Sequence, residues 1–382
     1  MSKHLAFIAL AAAALAACEQ NRGITSPSAA VATPLEAQRG DDAPLAGPRA
    51  VYTLTNQVAG NAVAVFTRAA DGTLSPAGTV ATGGTGTGAG LGSQGAVALS
   101  SDGRWLFAVN AGSNDVSVLR MGAHGLSLAS RTASGGTLPI SLTVHGNVLY
   151  VLNAGGDGNI SGFSVGPSGA LSAIPGSTQA LSGTNVGPAD VAFSPDGRSL
   201  VVTEKTTGLL DVYDVNDNGV AGGLRSVTSA GGTPFGFAFG IRNLLFVSEA
   251  AAPGSASSYI LGREGDPQVV SGVVLTHQGA PCWAVVTNDG RFGFTGNGSG
   301  SVSAFTIAPN GSISLLDANG ATAVIAGGVN DIALSGDSRY LYALGTGAVP
   351  GIHTFRIEPD GHLVALGAVA GIPTGTRGLT AF

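Results

Sequence analysis

Charge is scarce in this chain. Lys, Arg, Asp and Glu make up 10% of the 382 residues, too few to coat the solvated faces of a set of exposed helices. The 17 basic residues form no cluster, and 23 acidic ones outweigh them to a net charge of −6. A polyphosphate partner is repelled by that balance, so nucleic acid is excluded as a ligand. Aromatic side chains reach only 6%. The one long apolar run, residues 5–17 (LAFIALAAAALAA), is too short to cross a bilayer comfortably. Cysteine is limited to Cys18 and Cys282; a disulfide framework is therefore absent.

Glycine is what the chain has in abundance, with 61 residues, and it falls at regular places. VALSSDGRWLFAVNA from Val97, VAFSPDGRSLVVTEK from Val191 and VVTNDGRFGFTGNG from Val285 each join two apolar runs through an Asp-Gly turn. LTVHGNVLYVLNA, FAFGIRNLLFVSEA and IALSGDSRYLYALGTG repeat the plan. This is the hairpin signature. After each hairpin come two more strands around a second turn, as in NAVAVFTRAADGTLSPAGTV or GIHTFRIEPDGHLVALGA. Four antiparallel strands per repeat is a propeller blade.

The second strands end at Asn56, Asn110, Asn153, Glu204, Glu249, Asn297 and Gly345, which sets a repeat of about 48 residues and a count of seven blades. The first copy lacks an inner strand, because only AVYTLTN precedes its third strand. TRGLTAF, residues 376–382, supplies that strand from the other end of the chain. The expected fold is all-β: a seven-bladed β-propeller of four-stranded antiparallel blades, closed by the C-terminal strand pairing in the first blade.

Residues 5–17 follow Lys3 and His4 as the core of a signal peptide. Leu15-Ala16-Ala17-Cys18 resembles the lipobox of bacterial lipoproteins. The resemblance implies cleavage before Cys18, lipidation of Cys18, and a membrane contact made through the lipid anchor only. Glu19 in the next position resembles lipoproteins sent to an outer membrane, facing periplasm or exterior. Residues 18–48, rich in Ala, Pro, Thr and Gly, read as a disordered tether, which leaves residues 1–17 as signal peptide and 49–382 as propeller. With Cys18 acylated, Cys282 in APCWAVV reads as a small buried hydrophobe.

Tandem xDG(R/K)xL(F/Y)V hairpins followed by xxDGxL turns, seven times over residues 49–382, resemble the seven-bladed propeller lactonase family, which includes propeller-type 6-phosphogluconolactonases and carboxymuconate cyclases. The resemblance implies a sugar or related lactone as substrate and the central funnel as the place of hydrolysis. A non-catalytic propeller that binds an envelope glycan or protein is the alternative. A monomer is expected in either case.

Strand direction sorts the candidate residues. The turns at Asp102-Gly103, Asp196-Gly197, Asp289-Gly290, Asp71-Gly72, Asn310-Gly311 and Asp360-Gly361 share one face and read as structural, since tight turns need these residues. His124, His145 and His362 sit at or beside such turns. The opposite face, where the funnel opens, receives Asn110, Asn153, Asn297, Asp190, Asp331, Trp283, Arg377, Glu204, Lys205 and Glu249, with His277 and His353 in loops.

Enzymatic relatives typically carry a His-x-His-like segment entering a first strand. The matching slots here read GPADVAF, TPFGFAF and APCWAVV, without histidine. The acid and base roles then fall to Glu204 and Glu249, two carboxylates converging from adjacent blades, with Lys205 and Arg377 stabilising an oxyanion. The plainer reading makes the same Asn and Glu side chains caps of the following loops. A third uses their oxygens for Ca2+ in the funnel, although no cofactor is required. The glycine-rich loop 81–95 lacks a following helix and a P-loop Lys, and reads as a mobile flap over the funnel rather than a phosphate cradle.

Overall fold

The computed structural model describes residues 49–382 apart from 124, 263–264 and 348–349. Cys18, the signal segment, the tether and His124 lie outside the described residues.

Seven antiparallel sheets follow one another along the chain. The second strands explain the hydropathy of the repeats. WLFAVN (Trp105–Asn110), SLVVTE (Ser199–Glu204), LLFVSE (Leu244–Glu249) and YLYALG (Tyr340–Gly345) are buried at every position. A strand covered on both faces by neighbouring blades has no reason to alternate, so it reads as a continuous apolar run. The outer strands are solvated, and Ala221–Thr228 and Gly125–Ala133 accordingly carry Ser, Thr and Gly. Between blades the packing is aromatic and β-branched, as where Phe246 of blade 5 meets the edge of Phe305 of blade 6 at 5.4 Å. Each such side chain removed from water stabilises the ring by about 1.5–3 kcal/mol.

The Asp-Gly turns hold themselves. Asp102 Oδ1 accepts from Ser100 Oγ at 2.7 Å and from the Arg104 N–H at 3.0 Å, while Gly103 takes a φ of +67°. The same bonds recur at Ser194, Asp196 and Arg198, and at Thr287, Asp289 and Arg291. These carboxylates are spent on turn geometry. His145 lies exposed at the end of a first strand, beside the turn and against Phe193 at 5.7 Å, and His362 is paired with Asp360 at 3.1 Å.

Ring closure follows the expected pairing. Arg377–Ala381 is the inner strand of blade 1, with Val51 opposite Ala381, Tyr52 opposite Thr380 and Thr53 opposite Leu379. Two blades depart from the four-strand plan. In blades 3 and 6 the outer strand is split into Leu171–Ala173 with Gln179–Ala180, and Ile313–Leu315 with Ala323–Val324. Pro175-Gly176 and Asn319-Gly320 break the ladder there. Inner strands touch the inner strand of the next blade all the way round.

Candidate functional site

The side chains that end second strands act as anchors, and at Asn110, Asn153, Glu204 and Glu249 they hold the loop arriving from the previous blade. Asn110 accepts from Asn61 Nδ2 at 3.0 Å and Thr82 Oγ1 at 2.7 Å, and donates to Asp115 at 2.6 Å and Ser117 at 2.8 Å. Asn153 donates to the Ser134 carbonyl and to Asn159, and Asn297 to Ser301 and Ser303. The loops press backbone against these side chains: a Cβ on Gly84 would fall 2.4 Å from Asn110 Cγ, and one on Gly136 would fall 2.6 Å from Asn153 Cγ. Glycine is obligatory at such approaches.

Glu204 and Glu249 occupy the same position and do the same work. Glu204 Oε1 accepts from the Ser182 N–H at 3.1 Å, and Oε2 accepts from Ser182 Oγ at 2.5 Å and Thr207 Oγ1 at 2.6 Å. Its carboxyl also meets Asp211, which is pushed up to about 7 by burial and by Glu204 beside it. Glu249 accepts from Ser229 Oγ, from Ser257 Oγ at 2.6 Å and from the Gly231 N–H; burial pushes it up to about 7. Neither glutamate is exposed to solvent. No partner is common to the two. The arrangement is that of two separate caps, each inside its own blade, and the carboxylate that Glu204 faces is Asp211.

Asp190 and Asp331 stand on the inner strands just after the bulges that open them, and Arg377 opens its strand just before one. Asp190 ties three blades together, accepting from Ser141 Oγ at 3.1 Å and from the Phe237 N–H at 3.2 Å. Burial pushes it up to about 7. Asp331 accepts from the Ile332 N–H at 2.8 Å and the Leu379 N–H; burial, with Asp190 adding to it, pushes its carboxyl well up. Arg377 is lowered to about 10 by burial and donates to the Thr376 carbonyl at 2.7 Å. Trp283 Nε1 donates to the Ser93 carbonyl at 3.1 Å. His277 lies exposed in the loop between blades 5 and 6 with a φ of +56°. His353 stands half-buried on the third strand of blade 7, and burial lowers its pKa. Cys282 is wholly buried on the inner strand of blade 6.

The flap expectation fails at the glycine-rich loop. Residues 92–95 are bonded to four different blades at once. Lys205 Nζ donates to the Gly92 carbonyl at 2.5 Å, Ser93 Oγ to the Ile140 carbonyl at 2.8 Å, and the Leu142 N–H to the Gly95 carbonyl at 2.8 Å. Gln94 reaches blades 5 and 6. A four-residue segment can touch so many inner strands only on the ring axis, so this loop plugs the channel. Gly236 makes room for it, since a Cβ there would lie 2.2 Å from Gln94 Oε1.

Beside the plug, between blades 3 and 4, the funnel face has an open cavity of about 390 Å3. Its polar side chains are Asp157, Asn185, Lys205 and Thr206. Asp157 is exposed, whereas Lys205 is nearly buried and lies over the Phe235 ring at 5.0 Å. Of the expected site residues only Lys205 lines this cavity. Asp157 went unsingled in the sequence; its signal is the GGDG stretch that follows Asn153 on the funnel face. Among the described residues, no three His, Cys, Asp or Glu side chains come together as a metal site.

Fold and site together define a closed seven-bladed propeller with a plugged axis and a lateral cavity. Residues 49–178 match the family described as "Lactonase, 7-bladed beta-propeller", so the resemblance seen in the repeats to the seven-bladed propeller lactonases stands on both the match and the ring. The fold is shared with the periplasmic gluconolactonase of Pseudomonas aeruginosa, at 17% identity and a TM-score of 0.67, covering 87% of this chain and 99% of that one. A proposed 6-phosphogluconolactonase of Bacteroides fragilis is similar at 16% identity and a TM-score of 0.69, with 89% and 100% covered. A Lactobacillus plantarum protein reaches a TM-score of 0.71 at 16% identity, with 87% and 99% covered. No curated protein sequence matches the chain.

Proposed function

We propose that this protein is an envelope lactonase that opens a small cyclic ester in the cavity between blades 3 and 4. The observation that carries this reading is the cavity itself: on a lactonase-type fold with its axis plugged, this funnel-face opening is lined by both a cation and an exposed carboxylate. In this reading the Asp157 carboxylate takes a proton from the attacking water. The Lys205 ammonium stabilises the oxyanion as water adds to the ring carbonyl; on collapse the ring C–O bond breaks and the proton held by Asp157 passes to the leaving alkoxide oxygen. Glu204 and Glu249, sequestered as caps, leave the base role to Asp157; Arg377 and the buried aspartates serve the channel.

The experiment is a titration of acid release from glucono-δ-lactone and from alkyl lactones, with and without Ca2+, by the wild-type chain and by Asp157→Asn. Loss of a general base lowers the rate about 10²–10⁴-fold. Wild-type rates in the variant remove Asp157 from the reaction. Absence of turnover with every lactone favours the alternative of a binding propeller, which the burial of both glutamates supports.

The location in this reading is the outer membrane, through a lipid on Cys18. Among the described residues no helix is long and apolar enough to cross a membrane. Cys18→Ser should move the protein from the membrane fraction to the soluble one; retention after a high-salt wash refutes the lipid anchor.

A further inference from the structure

Glu204 and Asp211 accept from one and the same donor. The Ser182 N–H donates to Glu204 Oε1 at 3.1 Å and to Asp211 Oδ2 at 3.0 Å. A single N–H reaches two acceptors only when both lie in front of it, so these two oxygens face each other. The remaining oxygens are supplied by hydroxyls: Ser182 Oγ and Thr207 Oγ1 donate to Glu204 Oε2, and Ser226 Oγ donates to Asp211 Oδ1. Both residues are fully buried. Two carboxylates this close and out of water cannot both carry charge, so the pair holds one proton, and its place is between Oδ2 and Oε1. The titratable side chains around the pair have partners of their own. The Tyr213 hydroxyl donates to the Ala180 carbonyl at 2.8 Å and Lys205 Nζ to the Gly92 carbonyl at 2.5 Å; Arg225 is paired with Asp214 and Asp266, each at 2.7 Å, and Asp190 accepts from Ser141 and Phe237.

What this pair holds is one wall of the cavity between blades 3 and 4. Ser182 begins the exposed turn that leads from blade 3 into Pro188–Phe193, the inner strand of blade 4, and it makes three bonds to the two carboxyls. Asn185, Val186, Gly187 and Pro188 come after it along the chain and line the cavity; Lys205 and Thr206, which also line it, follow Glu204 directly. The two runs are bonded to each other, the Thr206 N–H to the Val186 carbonyl at 3.0 Å and the Lys205 N–H to the Gly187 carbonyl at 2.9 Å. At its blade 3 end, then, the wall hangs from a contact that needs a proton. With both carboxyls charged, their repulsion separates the oxygens that share the Ser182 N–H, and the turn loses its anchor.

We propose that Glu204 and Asp211 are a proton-held latch on this wall, so that the cavity keeps its shape in acid and loosens as the pair ionises. For its effect on turnover the proposal rests on the reading of the cavity as the lactone site. Asp211 is then a positioning residue, acting through Ser182 rather than on the substrate. Burial and Glu204 beside it raise Asp211 to about 7, whereas an unfolded carboxyl titrates near 4, roughly. The folded pair therefore keeps its proton through weakly acidic pH and gives it up as pH climbs through the folded value.

The test follows amide hydrogen exchange in residues 181–187 and, separately, acid release from glucono-δ-lactone above its spontaneous rate, both on the full chain from about pH 5 to 9. Wild-type protection, corrected for the intrinsic exchange rate, should hold up to about pH 7 and then fall about tenfold per pH unit, as loss of one proton requires. Asp211→Asn puts an amide donor where the proton sits, so protection in this variant should stay level across the range. Glu204→Gln supplies the same donor from the other side and should behave alike, which keeps the test open where one variant fails to fold. The wild-type KM should rise with the loss of protection, with kcat less changed, and both variants should remove the rise. A general base such as Asp157 gains activity with pH and does not imitate this fall. Protection that is level in the wild type, or that breaks at the same pH in both variants, overturns the latch even where lactone is hydrolysed. The same KM rise in both variants overturns its hold on the site. A latch that responds as expected in a protein that hydrolyses no lactone sustains the proposal and overturns the lactonase reading.

Discussion

The side-chain amide of Gln94 pairs with the backbone of Ala284 on the far side of the ring: Nε2 donates to its carbonyl at 3.0 Å and Oε1 accepts from its N–H at 2.8 Å. A third bond runs to the Phe237 carbonyl at 3.1 Å. One side chain thereby joins the loop before blade 2 to the inner strands of blades 5 and 6.

Gln94→Ala should therefore destabilise the whole ring. It removes three hydrogen bonds, each contributing about 0.5–1.5 kcal/mol, and leaves buried backbone groups without partners. A loss of about 3 kcal/mol is expected, read as a lower denaturant midpoint with an unchanged slope. A midpoint like that of the wild type means that the plug is held without its glutamine.

Glu204 answers differently to two substitutions. In Glu204→Gln the amide oxygen still accepts from Ser182 and the amide nitrogen can donate to Asp211, so unfolding should shift by less than about 1 kcal/mol. Glu204→Ala leaves the Ser182 N–H and Thr207 without their acceptor and should cost about 1–2 kcal/mol, as other lost caps do. Lactone turnover should survive both in the folded fraction. Abolished turnover in a stable Glu204→Gln sample restores that carboxylate to the chemistry.

Stability should fall as pH rises from about 5 to 8. Asp190, Asp211 and Glu249 sit near 7 when folded, with Asp331 also raised, all first by burial. Unfolded carboxyls titrate near 4, roughly. Between those values the folded chain binds more protons, so its advantage is complete at the acid end and is lost as pH climbs through the folded pKa. Melting curves across this window check the sign, and Asp190→Asn should flatten the slope. A melting temperature that rises toward pH 8 contradicts the burial of these groups.

Deleting residues 376–382 strips the inner strand from blade 1 and uncovers the edge of Val51, Tyr52 and Thr53. An unpaired edge of that kind templates association. Light scattering of the truncated chain should show aggregates; a monomer with an unchanged melting temperature argues that closure does not depend on this strand.

Much of this molecule was legible locally. Asp102, Asp196 and Asp289 form turns with residues two positions away, so recurring turns of this kind and runs such as LLFVSE suffice to count blades and orient strands. Even the pairing of TRGLTAF with AVYTLTN is local arithmetic, since a blade short of one strand must find it elsewhere. Which way a strand-end side chain faces is another matter. Glu204 at the end of a second strand has the same sequence context whether it opens to the funnel or turns back on Ser182 and Asp211, and only the course of the loop from the previous blade decides it. The same holds for Gln94, whose partners Phe237 and Ala284 lie 143 and 190 residues away, and for Asp157, which meets Lys205 on one cavity only because blades 3 and 4 stand side by side. Turns and strands are short-range interactions and are written in neighbouring residues. A channel plug and a cavity wall are assembled from loops of several blades, and their chemistry exists only once the ring has closed.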